Sequence, residues 1–325
     1  MAVGGYVYTY PDVARRESLL DALNMLDPTD TQMLSGFKQG QALNTLHEWI
    51  IDTLEAVDDN AQAEGADAPA DVSNDPTRVN NITQIFARTA KITGTETGDA
   101  LRRVGGNRMN WELTKKMKVL KGDIEFALVR GSKASGVASN SAASARRLQG
   151  VKNFITTNVT NQSGTSLTET ILNDLFEMVW TVGANIDAVY TPMKGKRRIS
   201  AFAGPSGTQK LVQLADRRLV NAVDVYESDA AKLVKLFAHR YVTTGIGKGD
   251  TSPSNAVNKS DYVTTATPGF DVIGLQEDTW ATAWYRKPFT KDIAETGDFS
   301  AKEILTEVTL EAHQQAANVL SRVMF

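Results

Sequence analysis

Residues 43–54 read LNTLHEWIIDTL and residues 81–92 read NITQIFARTAKI. Both runs are rich in β-branched, aromatic and large aliphatic side chains, and a long acidic stretch separates them. From residue 39 to residue 77 there is no Lys or Arg, yet nine acids occur: Glu48, Asp52, Glu55, Asp58, Asp59, Glu64, Asp67, Asp71 and Asp75. The middle, DDNAQAEGADAPADVSNDP at 58–76, is built from Ala, Asp, Gly and Pro and predicts irregular chain. The reading is a hairpin-like excursion with two β arms, against the plainer alternative of a linker between domains. A two-stranded ribbon buries too little apolar surface to offset its own ordering entropy. It becomes stable only when laid on another surface, which points to a subunit built to grip a neighbour.

Composition sets the outer bounds. The chain has 325 residues, 42% hydrophobic and 22% charged, ordinary values for a globular protein and too apolar for wholesale disorder. A formal net charge of −3 argues against a dedicated nucleic-acid binder, whose affinity comes from neutralising phosphates. With no cysteine there is no disulfide, thiolate nucleophile or Cys-ligated zinc. The N-terminus, MAVGGYVYTYPDVARRE, lacks the layout of a signal peptide. No apolar run approaches the ~20 residues a bilayer span needs, so a soluble protein without membrane contact is expected.

Along the chain, residues 1–40 read as an extended arm with one short helix. Its stripe is Leu19, Leu20, Leu23 and Leu26, ended by Asp27-Pro28. The strongest helix signal covers 107–130, where Met109, Leu113, Met117, Leu120, Ile124 and Leu128 recur every three or four residues before Gly131. At 1.5 Å per residue it is a beam about 36 Å long. Its surroundings are basic. Residues 102–152 hold Arg102, Arg103, Arg108, Lys115, Lys116, Lys118, Lys121, Arg130, Lys133, Arg146, Arg147 and Lys152 against Glu112, Asp123 and Glu125. A Ser/Ala/Gly-rich connection follows at 132–147. A second helix is predicted from a capping box of Ser166 and Glu169, with Leu167, Ile171, Leu175, Val179 and Val182 inward and Gly183 as its stop. Strands are expected at 187–190, 219–226 and 233–241, a helix from Pro192 to Phe202, and a polar Gly-rich surface loop at 243–268. The alternation around Ile304, Thr306, Val308 and Leu310 predicts a long strand. The fold class is α+β.

No constellation for catalysis emerges. His47, His239 and His313 are scattered and match no metal-ligand spacing. The run Gly245-Ile246-Gly247-Lys248-Gly249-Asp250 resembles a phosphate loop only superficially, because no Ser or Thr follows the lysine and the flanks are polar coil. Gly204-Pro205-Ser206-Gly207 is not a nucleophile elbow. The expectation is no enzyme, with no catalytic, cofactor-binding or metal site.

Six segments carry a resemblance. They are Asp27-Pro28-Thr29-Asp30-Thr31, Asn44-Thr45-Leu46-His47-Glu48-Trp49, Asn81-Ile82-Thr83-Gln84-Ile85-Phe86, Leu120-Lys121-Gly122-Asp123-Ile124-Glu125, Asp224-Val225-Tyr226-Glu227-Ser228-Asp229 and Ala294-Glu295-Thr296-Gly297-Asp298. In this order they resemble the major capsid (major head) proteins of tailed bacteriophages, over nearly the whole chain except 243–268. The resemblance implies the Johnson, or Hong-Kong-97-type, fold, with an N-arm at 1–40, an extended β E-loop at 41–93 and a P-domain at 94–165 holding the spine helix. An A-domain at 166–299 and a closing P-domain strand region at 300–325 would complete it. It further implies self-assembly into hexamers and pentamers of an icosahedral shell around double-stranded DNA bound without sequence specificity. A separate scaffolding protein, a portal and a cement protein are implied partners, and the place is the virion capsid, assembled in the bacterial host cytoplasm. Some relatives weld their shells through an E-loop lysine, but none occurs here from Gln39 through Ala90. An encapsulin-type nanocompartment, which shares the fold but stores an enzyme, is the nearest rival; a cytoplasmic α+β enzyme is the more distant one.

The charges suggest how such subunits would grip. The acidic excursion (Glu48, Trp49, Asp52, Glu55, Asp58, Asp59, Glu64, Asp67) complements the basic spine region (Arg102, Arg103, Arg108, Lys115, Lys116, Lys118, Lys121). The expectation is an E-loop of one subunit crossing the spine helix of the next. The alternatives are two unrelated solvated faces, or a basic helix turned toward packaged DNA.

Overall fold

A computed structural model describes residues 30–55, 57–68, 74–95, 108–136, 144–162, 165–202, 212–213, 218–219, 223–229, 233–242 and 270–324. The expected N-arm helix, Arg102, Arg103, the heart of the Ser/Ala/Gly connection and the 243–268 insertion lie outside these residues. No described helix is long and apolar enough to cross a membrane.

Two sheets share the molecule. After a short helix α1 (Gln32–Gly36), β1 (Lys38–Gln41) joins a four-stranded sheet parallel to β12 (Trp280–Ile293). The excursion then leaves and returns through β2 (Leu46–Ile51) and β3 (Thr77–Ile82), an antiparallel ribbon of their own. Immediately afterwards β4 (Gln84–Thr93) pairs with β13 (Phe299–Ala312), giving the order β1-β12-β13-β4. The six-stranded sheet has the order β5-β14-β11-β6-β10-β9. Its strands are β5 (Val159–Asn161), β6 (Ala188–Thr191), β9 (Val225–Glu227), β10 (Leu233–Ala238), β11 (Phe270–Leu275) and β14 (Val319–Met324). Two further two-residue strands, β7 (Val212–Gln213) and β8 (Arg218–Leu219), pair with each other.

The helix expected at 107–130 is α2 (Arg108–Arg130). Its stripe behaves as the periodicity requires: Leu120, Ile124 and Leu128 are buried against Phe86, Ile304 and Val308 of the four-stranded sheet, with Leu113 and Met117 packed at the margin. Met109 closes a small satellite cluster with Ala90 and Ile92. Gly131 ends the helix by close approach. A Cβ there would lie 2.5 Å from the Leu148 carbonyl oxygen, and one on Gly150 would lie 2.6 Å from the Gly131 nitrogen. A four-residue helix α3 (Val151–Phe154) follows this backbone crossing.

The centre of the six-stranded sheet is covered on both sides, so every residue of β6 and β11 is buried, the polar Thr191 and Asp271 included. Ala188, Tyr190, Ile273 and Leu275 face the core built on α2. Val189, Val272 and Phe270 face a second core under α4 (Glu169–Thr181) and α5 (Met193–Ile199).

Three sequence expectations change. The cap of α4 is Thr168, whose Oγ1 accepts from the Ile171 amide at 3.3 Å, and not Ser166. Its buried stripe is Leu172, Leu175, Phe176 and Val179, leaving Val182 52% exposed, while Gly183 at φ +88° does stop it. The second arm of the excursion, placed at 81–92, breaks at Thr83: residues 77–82 form the ribbon and 84–93 belong to the body. After β13 the chain passes to β14, in the other sheet.

Candidate assembly surface

The root of the ribbon is fastened to its own subunit. Asn81 is fully buried and spends its whole amide there. Its Nδ2 donates to the carbonyls of Leu310 (2.8 Å) and Gln149 (3.2 Å), and its Oδ1 accepts from the amides of Gln149 and Ile82 (both 2.8 Å). Trp49 donates Nε1–H to the Ala312 carbonyl at 2.9 Å and lies against Phe154 and His313. The Glu311 carboxylate sits between two imidazoles, 2.6 Å from His47 Nε2 and 3.2 Å from His313 Nε2.

Beyond Ile51 the excursion changes character. Every described residue from 52 to 68 is exposed, including Leu54 at 96% and Val57 at 102%. Gly65, at φ +83°, makes a tight turn with Ala66 donating to Ala63. Asp52, Glu55, Asp58, Asp59, Glu64, Asp67 and Asp75 all stand in solvent, and none forms an ion pair with a described residue. Glu48 differs. It pairs with Arg78 across the ribbon at 3.4 Å. It also acts on Lys133, which donates to Asn80; burial pulls Lys133 below the ordinary lysine value and Glu48 works against that fall. The charge of Glu48 therefore reaches one lysine of the basic stretch within a single subunit, without an ion pair between them.

The spine helix keeps two of its acids for local use. Glu112 pairs with Arg108 and Lys115, both at 3.2 Å, and Asp123 receives both arms of Arg88 at 2.6 and 2.7 Å. Lys116, Lys118 and Lys121 find no acid among the described residues, and Lys118 and Lys121 are exposed. A cleft of about 280 Å³ opens beside Lys121, lined by Leu34, Met117, Leu120, Ile124, Trp284 and Pro288.

The third acid, Glu125, points inward, as sequence reasoning did not foresee. It is fully buried, and its oxygens accept from the amides of Met33 and Leu34 and from His239 Nε2, each at 2.8 Å. His239 Nδ1 accepts from the Tyr241 amide at 3.2 Å, so the ring hydrogen is on Nε2. Glu307 is a second buried carboxylate, held by Thr83 Oγ1 (2.6 Å), Arg146 (2.8 Å) and Arg286 (2.9 Å). The third buried pair is Lys152 with Asp271, where burial lowers the lysine and Asp271 opposes the fall. A carboxylate inside a helix's apolar stripe register is the only sequence trace of Glu125; Glu307 stands in β13 with nothing local to mark it. Among the described residues no three His, Asp or Glu converge as metal ligands would.

A family model described as SU10 major capsid protein matches residues 4–323. The major capsid protein of Escherichia phage Phieco32 is 28% identical over 135 residues, 41% of this chain and 38% of that relative's length. The fold is similar to that of a solved protein of Gordonia phage Cozz (TM-score 0.61, 11% identity, 96% of this chain and 92% of that one). It is also similar to the capsid of Myoviridae phage XM1 (TM-score 0.61, 8% identity, 99% and 100%). The holo-SrpI encapsulin complex of Synechococcus elongatus gives a TM-score of 0.56 at 9% identity over 95% and 92%. At these identities the structures show the fold, a Hong-Kong-97-type α+β fold.

Proposed function

The chain belongs to the SU10 major capsid protein family, and from that premise we propose that its copies close into hexamers and pentamers in which each E-loop crosses the spine helix of its neighbour. It is a major capsid protein of a tailed bacteriophage, a structural component of the virion. The observation that carries the proposed contact is a pair of unmet surfaces. Leu54 and Val57 stand fully exposed among acids with no ion-pair partner in the described residues, and Lys116, Lys118 and Lys121 meet no acid among them, Lys121 standing at a largely apolar cleft.

The division of labour follows from magnitudes. An exposed ion pair contributes only ~0–1 kcal/mol, whereas buried apolar surface contributes roughly 25 cal/mol per Å². Leu54 and Val57 supply the adhesion; the charges set register and the rate of encounter. The fastened root at Asn81 and Trp49 serves the same end, since an arm anchored at one end loses less freedom when its tip docks.

Packaged double-stranded DNA is bound without sequence preference in this reading, and a separate scaffolding protein, a portal and a cement protein are partners by family analogy. Assembly in the bacterial host cytoplasm belongs to the same analogy. The test is the triple reversal Lys116→Glu, Lys118→Glu, Lys121→Glu. The soluble subunit should keep its circular dichroism and melting temperature while electron microscopy finds no shells. Normal particles from that variant would refute the E-loop–spine contact. An encapsulin-type compartment is the second reading, supported by the encapsulin likeness; particles isolated without nucleic acid but with a co-purifying enzyme would favour it.

A further inference from the structure

At the β9–β10 end of the six-stranded sheet, an exposed patch lies on each side among the described residues. Alternation along β10 sends Val234 and Leu236 into the core under α4 and α5, and Leu233 and Lys235 to the other side. In β9, Tyr226 packs on Phe176 with ring centroids 5.9 Å apart, while Val225 pairs with Lys235 and shares its face. Further along, that face is covered where Phe237 stacks on Tyr190 at 5.2 Å. Short of that cover, Leu233 is 65% and Val225 49% exposed.

On the opposite side of the same sheet, the outer surface of α4 carries Trp180, 63% exposed, beside a groove of about 640 Å³. Glu169, Asp174, Glu177 and Asp229 line the groove. None of these carboxylates forms an ion pair with a described residue. A tryptophan exposed over an open groove is the side chain most often found at the energetic centre of a protein contact.

We propose that the groove under Trp180 receives the Leu233–Val225 ledge of a second copy of this chain, head to tail. Two arguments select this occupant. A two-fold contact of the α4 face with itself would set four carboxylates against four, whereas the ledge offers Lys235, with Glu227 the only acid among its described residues. The two patches lie on opposite faces of one sheet, so each copy has one of each to give, and repeating the contact generates a ring where the rotation closes. This contact uses no residue of the E-loop or the spine helix, so it stands or falls separately from that reading.

The absence of cysteine from the chain makes the test clean. Glu177→Cys and Lys235→Cys are placed together in one chain, assembled, and treated with a short bis-maleimide. Denaturing gels should show a ladder rising from dimer to a complete ring, and each single variant should remain monomeric. Shells of the double variant that yield only monomer overturn the proposal, and dimers from Glu177→Cys alone overturn it in favour of a two-fold contact. Independently, Trp180→Ala should lower the yield of rings and shells about tenfold, a usual loss for such an anchor, with subunit melting unchanged because the ring is mostly solvated. Assembly of Trp180→Ala at the parent's yield refutes the contact.

Discussion

Replacing Glu125 by alanine strands three donors at once: the amides of Met33 and Leu34 and Nε2–H of His239. Met33 and Glu125 are fully buried and His239 is 3% exposed, so water does not take the carboxylate's place; Leu34 is only half-buried and recovers part of its loss. At about 1–3 kcal/mol for each buried unsatisfied donor, the expected cost is roughly 4 kcal/mol, or a melting temperature lower by about 6 °C for a chain of this size. Glu125→Gln is the sharper probe. Its oxygen can still serve Met33 and His239, but its NH₂ then faces the Leu34 amide, donor against donor, which costs about 2 kcal/mol. Urea unfolding of unassembled subunits, followed by circular dichroism, measures both. Hydrogen exchange should show the amides of Met33 and Leu34 losing protection in each variant. A double cycle with His239→Ala should give a coupling of about 1–3 kcal/mol. If Glu125→Ala lies within about 0.5 kcal/mol of the parent, the buried network does not hold the α1 segment to the spine helix and the reasoning fails.

Asn81→Ala removes the three hydrogen bonds that bind the ribbon root to residues 149 and 310, and the one its oxygen accepts from the Ile82 amide. It should cost about 2–4 kcal/mol and hasten proteolytic cleavage in the 52–76 region of free subunits; unchanged cleavage rates would count against the anchor. Leu54→Asp with Val57→Asp should leave subunit stability unaltered, because both side chains are solvated, yet abolish shells in electron microscopy. Tyr190 donates its hydroxyl to Glu277 at 2.6 Å, and burial, followed by that hydrogen bond, raises its pKa well above the ordinary value of 10. The native state therefore keeps a proton that the unfolded chain gives up above pH 10. The stability this group contributes is complete below pH 10 and is lost as pH rises beyond it, by up to about 1.4 kcal/mol per unit. The parent's advantage over Tyr190→Phe, about 1 kcal/mol at pH 9, should vanish by about pH 11 in paired urea titrations.

What was legible in the residues was local or periodic. The stripe from Met109 to Leu128 gives the spine helix almost to the residue, because a 3.6-residue period is written along one stretch of chain. The same holds for the left-handed stop at Gly183, the solvated acidic tip, whose composition leaves it nothing to bury, and β13 as a strand, although its residues 306–310 are buried on both faces where the alternation gave one. The capping of α4 was misread by two residues because Ser166 and Thr168 are both competent caps, and only the packing of Leu167 and Leu172 decides between them. The ion pair of Glu48 with Arg78 across the ribbon likewise has no signal in the sequence. It places one acid of the excursion on its own subunit, while the acids from Asp52 onward remain unmet.

From sequence alone come an α+β chain, a basic structural beam, and an acidic arm that cannot be stable in isolation. The tertiary structure alone decides where that arm begins. Residues 77–82 and 84–93 are equally suited to be strands, and Thr83 is the break because its side chain bonds Glu307, 224 positions later. Glu125 meets His239 across 114 positions, and Arg146 meets Glu307 across 161. Such partners are chosen by which buried groups have no other way to be satisfied once the chain is compact. That is a property of the packed interior, with no period or spacing along the chain to announce it.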